Sequence, residues 1–112
     1  MEETVDLIRE SVEIVSKNFS NRNYVQIKII HYQNVGWCSA YNFYLNNHSE
    51  GAFPLPKWGV FESRDEAFFY RLDLFENRMR ECLEEIPNSD ARRSSYASAL
   101  DWAISKRQLV LF

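Results

Sequence analysis

The chain has 112 residues, a formal net charge of -3, 46% hydrophobic residues and 15% aromatic residues. This length fits one domain, and the apolar content excludes a disordered or fibrous chain. No apolar stretch approaches the roughly 20 residues that cross a bilayer. Glu2 and Glu3 also differ from the basic start of a signal peptide. We therefore expect a single soluble domain, residues 1–112, in the cytoplasm.

The first element is predicted to be an amphipathic helix over residues 4–19. Its apolar residues recur at steps of three and four, the spacing that places side chains on one stripe of a helix. These residues are Val5, Ile8, Val12, Val15 and Phe19. A group of Asn and Ser residues follows, and their side chains compete for backbone hydrogen bonds, so the helix is expected to end there.

Two antiparallel strands are predicted next, at residues 24–32 and 37–46, because β-branched and aromatic residues alternate with polar ones. Two registers compete for the hairpin, with a loop of residues 34–35 or of residues 34–36. The longer loop is favoured because it gives one apolar face and places Gly36 where the turn needs a positive φ. The pairs that it predicts are Ile27 with Phe43 and Ile29 with Tyr41.

The segment 47–58 contains two of the three prolines and is predicted to be a surface loop. A short third strand at residues 57–61 would then close the sheet. The sequence thus predicts a small sheet of two to three strands.

Two helices are predicted after the sheet. Ser63 and Glu66 have the spacing of a capping box, and apolar residues at steps of three and four continue from Phe68 to Ile86, where Pro87 ends the helix. The last helix is expected to start near residues 88–90. Its predicted stripe contains Tyr96, Ala99, Leu100, Ala103 and Arg107.

The apolar tail Leu109–Phe112 is expected to dock on the domain. The predicted fold is therefore α+β, with an N-terminal helix, a small antiparallel sheet of two to three strands, and two antiparallel helices.

Candidate chemistry is sparse. His31, Cys38, His48 and Cys82 lie far apart on different elements, so we expect no metal site and no cofactor. His31 and Cys38 approach each other in the predicted hairpin, and a small enzyme with a site there is one alternative. Because motifs such as a nucleophile elbow or a phosphate-binding loop are missing from the sequence, we predict that the protein is not an enzyme.

A nucleic-acid-binding accessory domain is a second alternative. The order of elements has the outline of the double-stranded-RNA-binding domain, and arginines recur every seven residues on the long helix, with a second pair near the last helix. These arginines are Arg64, Arg71, Arg78, Arg92 and Arg93. However, Asp65 and Glu66 stand where that family has lysines, so nucleic acid is a less favoured partner.

The stretch of residues 36–67, which includes the loop Pro54–Pro56 and the helix start at residues 61–67, resembles small domains encoded by phages and other mobile elements. In these domains a strand pair and a proline loop lead into a helix that begins with SRDEA or SREEA. The resemblance covers about a third of the chain and implies no catalytic residue. Small acidic proteins of such elements often bind and block a host protein, as anti-CRISPR inhibitors do. The leading hypothesis is therefore a non-enzymatic protein-binding domain that modulates or inhibits a host complex.

The predicted contact surface is the face of the hairpin that points away from the helices, together with the proline loop. It combines rigid aromatic area with hydrogen-bonding groups, which suits an interface. Its residues are Tyr24, Lys28, Ile30, Tyr32, Asn42, Tyr44, Phe53 and Trp58. The competing interpretation is that the tail Leu109–Phe112 or a second subunit, as in a homodimer, covers this face.

Overall fold

The computed structural model describes residues 6–108, and in it four strands precede two helices. The strands are β1 Arg9–Asn18, β2 Tyr24–Tyr32, β3 Gly36–Leu45 and β4 His48–Gly51; the helices are α1 Arg64–Glu85 and α2 Arg93–Gln108. Each strand pairs antiparallel with the next, in the order β1-β2-β3-β4. The predicted α+β class and the two helices after the sheet are confirmed. Within the described residues, neither helix is long and apolar enough to cross a membrane.

The core lies between the two central strands and the two helices. Val25, Ile27 and Ile29 on β2 are fully buried against α1 and α2, because alternate residues of a strand point to the same face. Phe43 and Leu45 on β3 complete this face. The helices contribute Phe68, Leu72, Phe75, Met79, Tyr96, Ala99, Trp102 and Ala103. The apolar face predicted for the hairpin is therefore the face that the helices cover.

The register of this hairpin differs from the prediction by two residues. Ile27 pairs with Tyr41 rather than with Phe43, and Tyr32 pairs with Gly36, so the loop is residues 33–35. Asn34 has the left-handed backbone, with φ 60°, in place of Gly36. Asn also tolerates this conformation, so the turn does not need a glycine and the register can shift. A shift of two residues keeps every side chain on its predicted face, and the core is unaffected.

The predicted N-terminal helix is wrong, because the segment forms the edge strand β1, which pairs with β2 along most of its length. Val15 packs against the core, whereas Val12 and Ile14 point to the opposite face and are 50% and 51% exposed. The helical spacing left Ile14 unexplained. Three β-branched residues so close together favour a strand, and pairing with β2 gives their backbone groups partners. Thr4 and Val5 lie outside the described residues.

The segment predicted as a surface loop contains β4. Asn46 and Asn47 have φ 54° and 67°, the two positive values that a tight two-residue hairpin turn requires, and Asn is a residue that accepts them. The predicted strand at residues 57–61 is wrong: Pro56–Trp58 form a 3-10 turn, and Phe61 makes only an isolated bridge to Trp37. The sheet therefore has four strands instead of two to three.

The start of α1 is close to the prediction. The Ser63 hydroxyl accepts a hydrogen bond from the backbone N–H of Glu66 at 3.1 Å, as in a capping box. The Glu66 carboxylate accepts from the N–H of Glu62, one residue before the position that the motif predicts. The helix ends at Glu85, just before Pro87.

The second helix starts at Arg93, and Asp90 accepts a hydrogen bond from the N–H of Arg92 just before it. On the predicted stripe, three residues are buried, Leu100 is partly buried, and Arg107 instead forms salt bridges with Asp73 and Glu76 of α1. The expected docking of Leu109–Phe112 lies outside the described residues.

Gly36 is expected to be intolerant of larger residues, although it is not the turn residue. Its φ is 134°, and a Cβ atom there would lie 2.8 Å from Cγ1 of Val60 and 3.0 Å from the carbonyl oxygen of Phe61. We predict that Gly36→Val lowers the free energy of unfolding by roughly 1–3 kcal/mol, measured by urea denaturation. Asn34→Gly, in the same loop, is the control and is expected to change it by less than about 0.5 kcal/mol. Equal stability of Gly36→Val and wild type would contradict this account of the loop.

Candidate functional site

The face of the sheet that points away from the helices, called here the outer face, is covered at one end by the loop that follows β4. The Tyr32 hydroxyl donates a hydrogen bond of 2.5 Å to the carbonyl oxygen of Pro54. Beneath this loop Ile30, Tyr32 and Cys38 are buried and form a second, smaller apolar cluster. Two of the predicted contact residues, Ile30 and Tyr32, are therefore interior residues, and neither can touch a partner unless the loop moves.

The rest of the outer face is open among the described residues. Tyr24, Lys28, Asn42 and Tyr44 are half-buried there, as neighbours in the β2–β3 pairing. Two of them also make local bonds, since the Asn42 side chain donates to the Ala52 carbonyl at 3.2 Å and the Tyr44 hydroxyl donates to Asn47 at 2.5 Å. Asn42 and Tyr44 are thus held in place before any partner binds.

Strand β1 adds apolar area to this open part. Val12 and Ile14, which the helix prediction did not place here, are half-exposed beside β2, and Ile14 pairs directly with Lys28. Phe53, from the loop, is 38% exposed. The guanidinium of Arg9 lies 4.8 Å and the ammonium of Lys28 lies 5.2 Å from the centre of the Phe53 ring. From Val12 to the end of β4, the alternation of the strands places no carboxylate on the outer face.

A cleft of about 810 Å³ opens at the other edge of the sheet, where β4 stops early. Gly51 is the last residue of β4 to pair with β3, and the next partner along the β3 edge is Phe61, opposite Trp37. Between these two points no described strand pairs with residues 38–41 of β3 on that side. The cleft lies over this gap and is bordered by α1 and the segment that follows β4. Tyr41, Glu50, Trp58, Arg71, Asn77 and Arg78 are among its lining residues.

Arg71 is the most unusual residue of this cleft. It is only 9% exposed, its Nε donates to the Ser39 hydroxyl at 3.3 Å, and its Nη2 donates to the Trp58 carbonyl at 3.0 Å. The Tyr70 ring lies 5.1 Å from the guanidinium. No carboxylate of the described residues forms a salt bridge with Arg71, and burial lowers the pKa of its guanidinium. The cleft thus contains a buried guanidinium that makes no direct contact with a carboxylate of the described residues.

Arg78, about two turns farther along the same face of α1, has the opposite character. Its Nη2 lies 2.6 Å from the Glu50 carboxylate, and its Nη1 lies 3.0 Å from Glu81. Glu50 also bonds His48 at 2.8 Å, and the other ring nitrogen of His48 lies 2.8 Å from the Tyr96 hydroxyl. This chain of polar contacts ties β4 to both helices. The hydrogen bonds from Arg78 hold the pKa of Glu50 below its ordinary value.

The arginines proposed for nucleic-acid binding are each engaged within the domain. Arg64 binds Glu13 at 2.7 Å, and Arg92 binds Asp90 at 2.7 Å. Arg93 donates to the carbonyl oxygens at the end of α1. With Arg71 buried and Arg78 paired, these five cations form no common surface for a phosphate backbone.

His31 and Cys38 do not form the catalytic pair considered from the sequence. His31 points to the helix side, where it stacks on Trp37 and bonds Glu10 at 2.7 Å, whereas Cys38 lies under the loop on the outer face. Burial raises the pKa of the Cys38 thiol, which disfavours the reactive thiolate. No group of three potential metal ligands occurs within residues 6–108.

The geometry defines a small α+β domain in which helices cover one face of an antiparallel sheet. Compared with models of known protein families, with curated proteins and with solved structures, the chain matches none. Its function is therefore argued from its own surfaces.

The contacts of Glu50 predict an acid-sensitive contribution to stability. Because its pKa in the folded state lies below the ordinary value of 4.5, the contribution is fully present above that pH and is lost as the pH falls through the folded pKa. We expect Glu50→Gln to lower the free energy of unfolding by roughly 1–3 kcal/mol at pH 7, and by much less at pH 3, in denaturant titrations.

Glu81→Gln is the matched control for this experiment, because Glu81 also contacts Arg78 but its side chain is 59% exposed. It is expected to change the stability by less than about 0.5 kcal/mol at either pH. A Glu50→Gln effect that does not depend on pH would contradict the assigned role of this carboxylate.

Proposed function

We propose that this chain is a non-enzymatic protein-binding domain, and that it binds its partner with the open part of the outer face. The observation that supports this proposal is the composition of that face. Half-exposed Val12 and Ile14 lie beside Lys28, whose ammonium is 5.2 Å from the Phe53 ring, and half-buried Tyr24 and Tyr44 pair with each other four residues away along β2. Within residues 6–108 the charged side chains on this part of the face are the cations Arg9 and Lys28.

The chemistry of the partner follows from this composition. Exposed apolar side chains beside rigid aromatic rings favour burial against a protein surface, because each square ångström removed from water stabilises the complex. Cations without carboxylates among them favour a partner that presents acidic groups around an apolar patch. The domain as a whole has a net charge of -3, so a basic patch of this kind orients the partner instead of attracting it generally.

The biological role that we propose is the inhibition or modulation of a host complex by a mobile-element product. Its support is the sequence resemblance described above, through the loop Pro54–Pro56 and the helix start at Ser63. The structure adds one relevant point, since the proline loop covers part of the outer face and thereby shapes the proposed contact surface.

The nucleic-acid alternative has less support. Three of its five arginines form salt bridges with carboxylates of the domain, Arg71 is buried, and Arg93 bonds backbone carbonyls. Phosphate binding would have to break these contacts first. The enzyme alternative lacks its central pair, because His31 and Cys38 point to opposite faces of the sheet.

The test compares two double variants. Ile14→Ser with Lys28→Glu removes apolar area and reverses a charge on the outer face, and Val60→Ser with Lys106→Glu makes the same changes elsewhere on the surface. We expect both to melt within a few degrees of wild type. From a lysate of cells that contain the native partner, wild type and the control should capture the same acidic protein. The outer-face variant should bind that purified protein at least tenfold more weakly in calorimetry.

Three results would contradict the proposal. The first is equal affinity of both double variants for the captured protein. The second is a wild-type dimer in light scattering that the outer-face variant converts to a monomer, which would assign this face to self-association. The third is a monomer whose Val12 and Ile14 become exposed only after deletion of Leu109–Phe112, which would assign the face to the tail.

A further inference from the structure

The neighbours of Arg71 among the described residues neither pair its positive charge with a carboxylate nor accept hydrogen bonds from all of its nitrogens. Ser39 and Trp58 accept from two of its nitrogens, and both acceptors are uncharged. Burying a charge is costly unless it is paired, whereas an uncharged donor could bridge the same two oxygens at lower cost. The structural role of Arg71 therefore does not account for its charge.

The third nitrogen of the guanidinium, Nη1, has no hydrogen-bond partner among the described residues. Every fully buried side-chain nitrogen or oxygen among residues 6–108 has a hydrogen-bond partner, yet Nη1 of Arg71 makes none of the hydrogen bonds found there. Arg71 lines the cleft, and we therefore assign Nη1 to the cleft side of the guanidinium. Its two N–H groups are fixed in direction, because the other two nitrogens are held by β3 and by the 3-10 turn.

The walls of the cleft select among anions. Glu50 and Glu81 line it together with Arg71 and Arg78, so the charges of the lining cancel, but both carboxylates contact Arg78 and neither contacts Arg71. An anion with one negative charge can pair with Arg71 at short range, whereas the second charge of a phosphate adds repulsion from Glu50 and Glu81. Leu74 and the half-exposed ring of Trp58 add apolar surface beside the charge.

We infer that this cleft is a binding site for a monocarboxylate with an apolar or aromatic body, in which Arg71 binds the carboxylate through Nη1 and Leu74 and Trp58 contact the body. The planar guanidinium suits a carboxylate, and burial strengthens the contact. This inference is independent of the proposed function, since the cleft opens at the β3 edge beside α1 and uses neither Ile14 nor Lys28.

A carboxylate of this kind has two sources: a free small molecule, or the C-terminus of a peptide. Ser39 and Tyr41 have their backbone groups directed to the open edge of β3, because alternation continues from Trp37, whose backbone exchanges hydrogen bonds with Phe61. An extended peptide could pair with this edge, and a free acid could not. The two sources therefore predict different shifts of the Tyr41 amide.

The experiment titrates the full chain with benzoate and follows the Arg71 side chain, the Trp58 indole and the Tyr41 amide by NMR. We expect saturable shifts at Arg71 and Trp58, with a Kd of about 1 mM or tighter. Benzamide, which lacks the charge, and phenyl phosphate, which has a second negative charge, should each bind at least tenfold more weakly.

A second titration distinguishes the two sources and compares a dipeptide that ends in a free Phe carboxylate with the amide of the same dipeptide. A further shift at Tyr41 with the free acid assigns the peptide as the source.

Variants of Leu74 keep the test independent of folding, because this residue is 37% exposed and Arg71 stays intact. Leu74→Glu places a second negative charge in the cleft and should weaken benzoate binding at least tenfold relative to Leu74→Gln. Equal shifts with benzoate and benzamide, tighter binding of phenyl phosphate, or equal affinity of the two Leu74 variants would overturn the inference. Failure of both benzoate and the free dipeptide to give saturable shifts would overturn it as well.

Discussion

The pairing of β2 with β3 determines where every other element of this domain can lie. Side chains alternate along both strands, so Val25, Ile27 and Ile29 join Phe43 on one face, and that face needs a cover of apolar side chains. Helices α1 and α2 supply it, with Phe75 in edge contact with Phe43 and Trp102. The helices occupy only one side of the sheet. The other side receives a short loop anchored by Tyr32, and the rest of it is open among residues 6–108.

The early end of β4 determines which part of the sheet edge is open, as the position of the helices determines which face is open. Four residues of β4 are enough for Glu50 to reach Arg78 and for His48 to reach Tyr96, so the strand is tied to both helices. Because it stops at Gly51, no strand of the described part of the chain lies beside the next stretch of β3, and Arg71 lines the resulting cleft. The outer face is open because the helices pack on the other side of the sheet, whereas the cleft is open because β4 ends early. The two surfaces are therefore lined by different residues.

Much of the fold follows from local signals. The bounds of β2 were predicted correctly from alternating β-branched residues, and α1 from Ser63, Glu66 and Pro87, because each of these signals reflects interactions within a few residues. The edge strand β1 was not predicted. Its residues fit a helical stripe equally well, and only the pairing with β2, a contact distant in sequence, decides between the two.

The candidate sites were harder to predict for the same reason. Tyr24 and Tyr44 were placed on the correct face, because parity alone determines that face. The burial of Tyr32 depends on Pro54, which lies 22 residues away, and the environment of Arg71 combines Ser39 with Trp58. Sequence spacing does not bring such segments together. From the sequence alone, a buried arginine on a helix cannot be distinguished from an arginine that is exposed to solvent.

The central claim is that helices close one face of the sheet and leave part of the other face open. Solvent paramagnetic relaxation by a neutral gadolinium chelate measures this directly at methyl groups in the full chain. The account predicts strong broadening of the Val12 and Ile14 methyl signals and little broadening for Val25, Ile27 and Ile29. Methyl groups of Val12 and Ile14 as protected as those of Ile27 would contradict it.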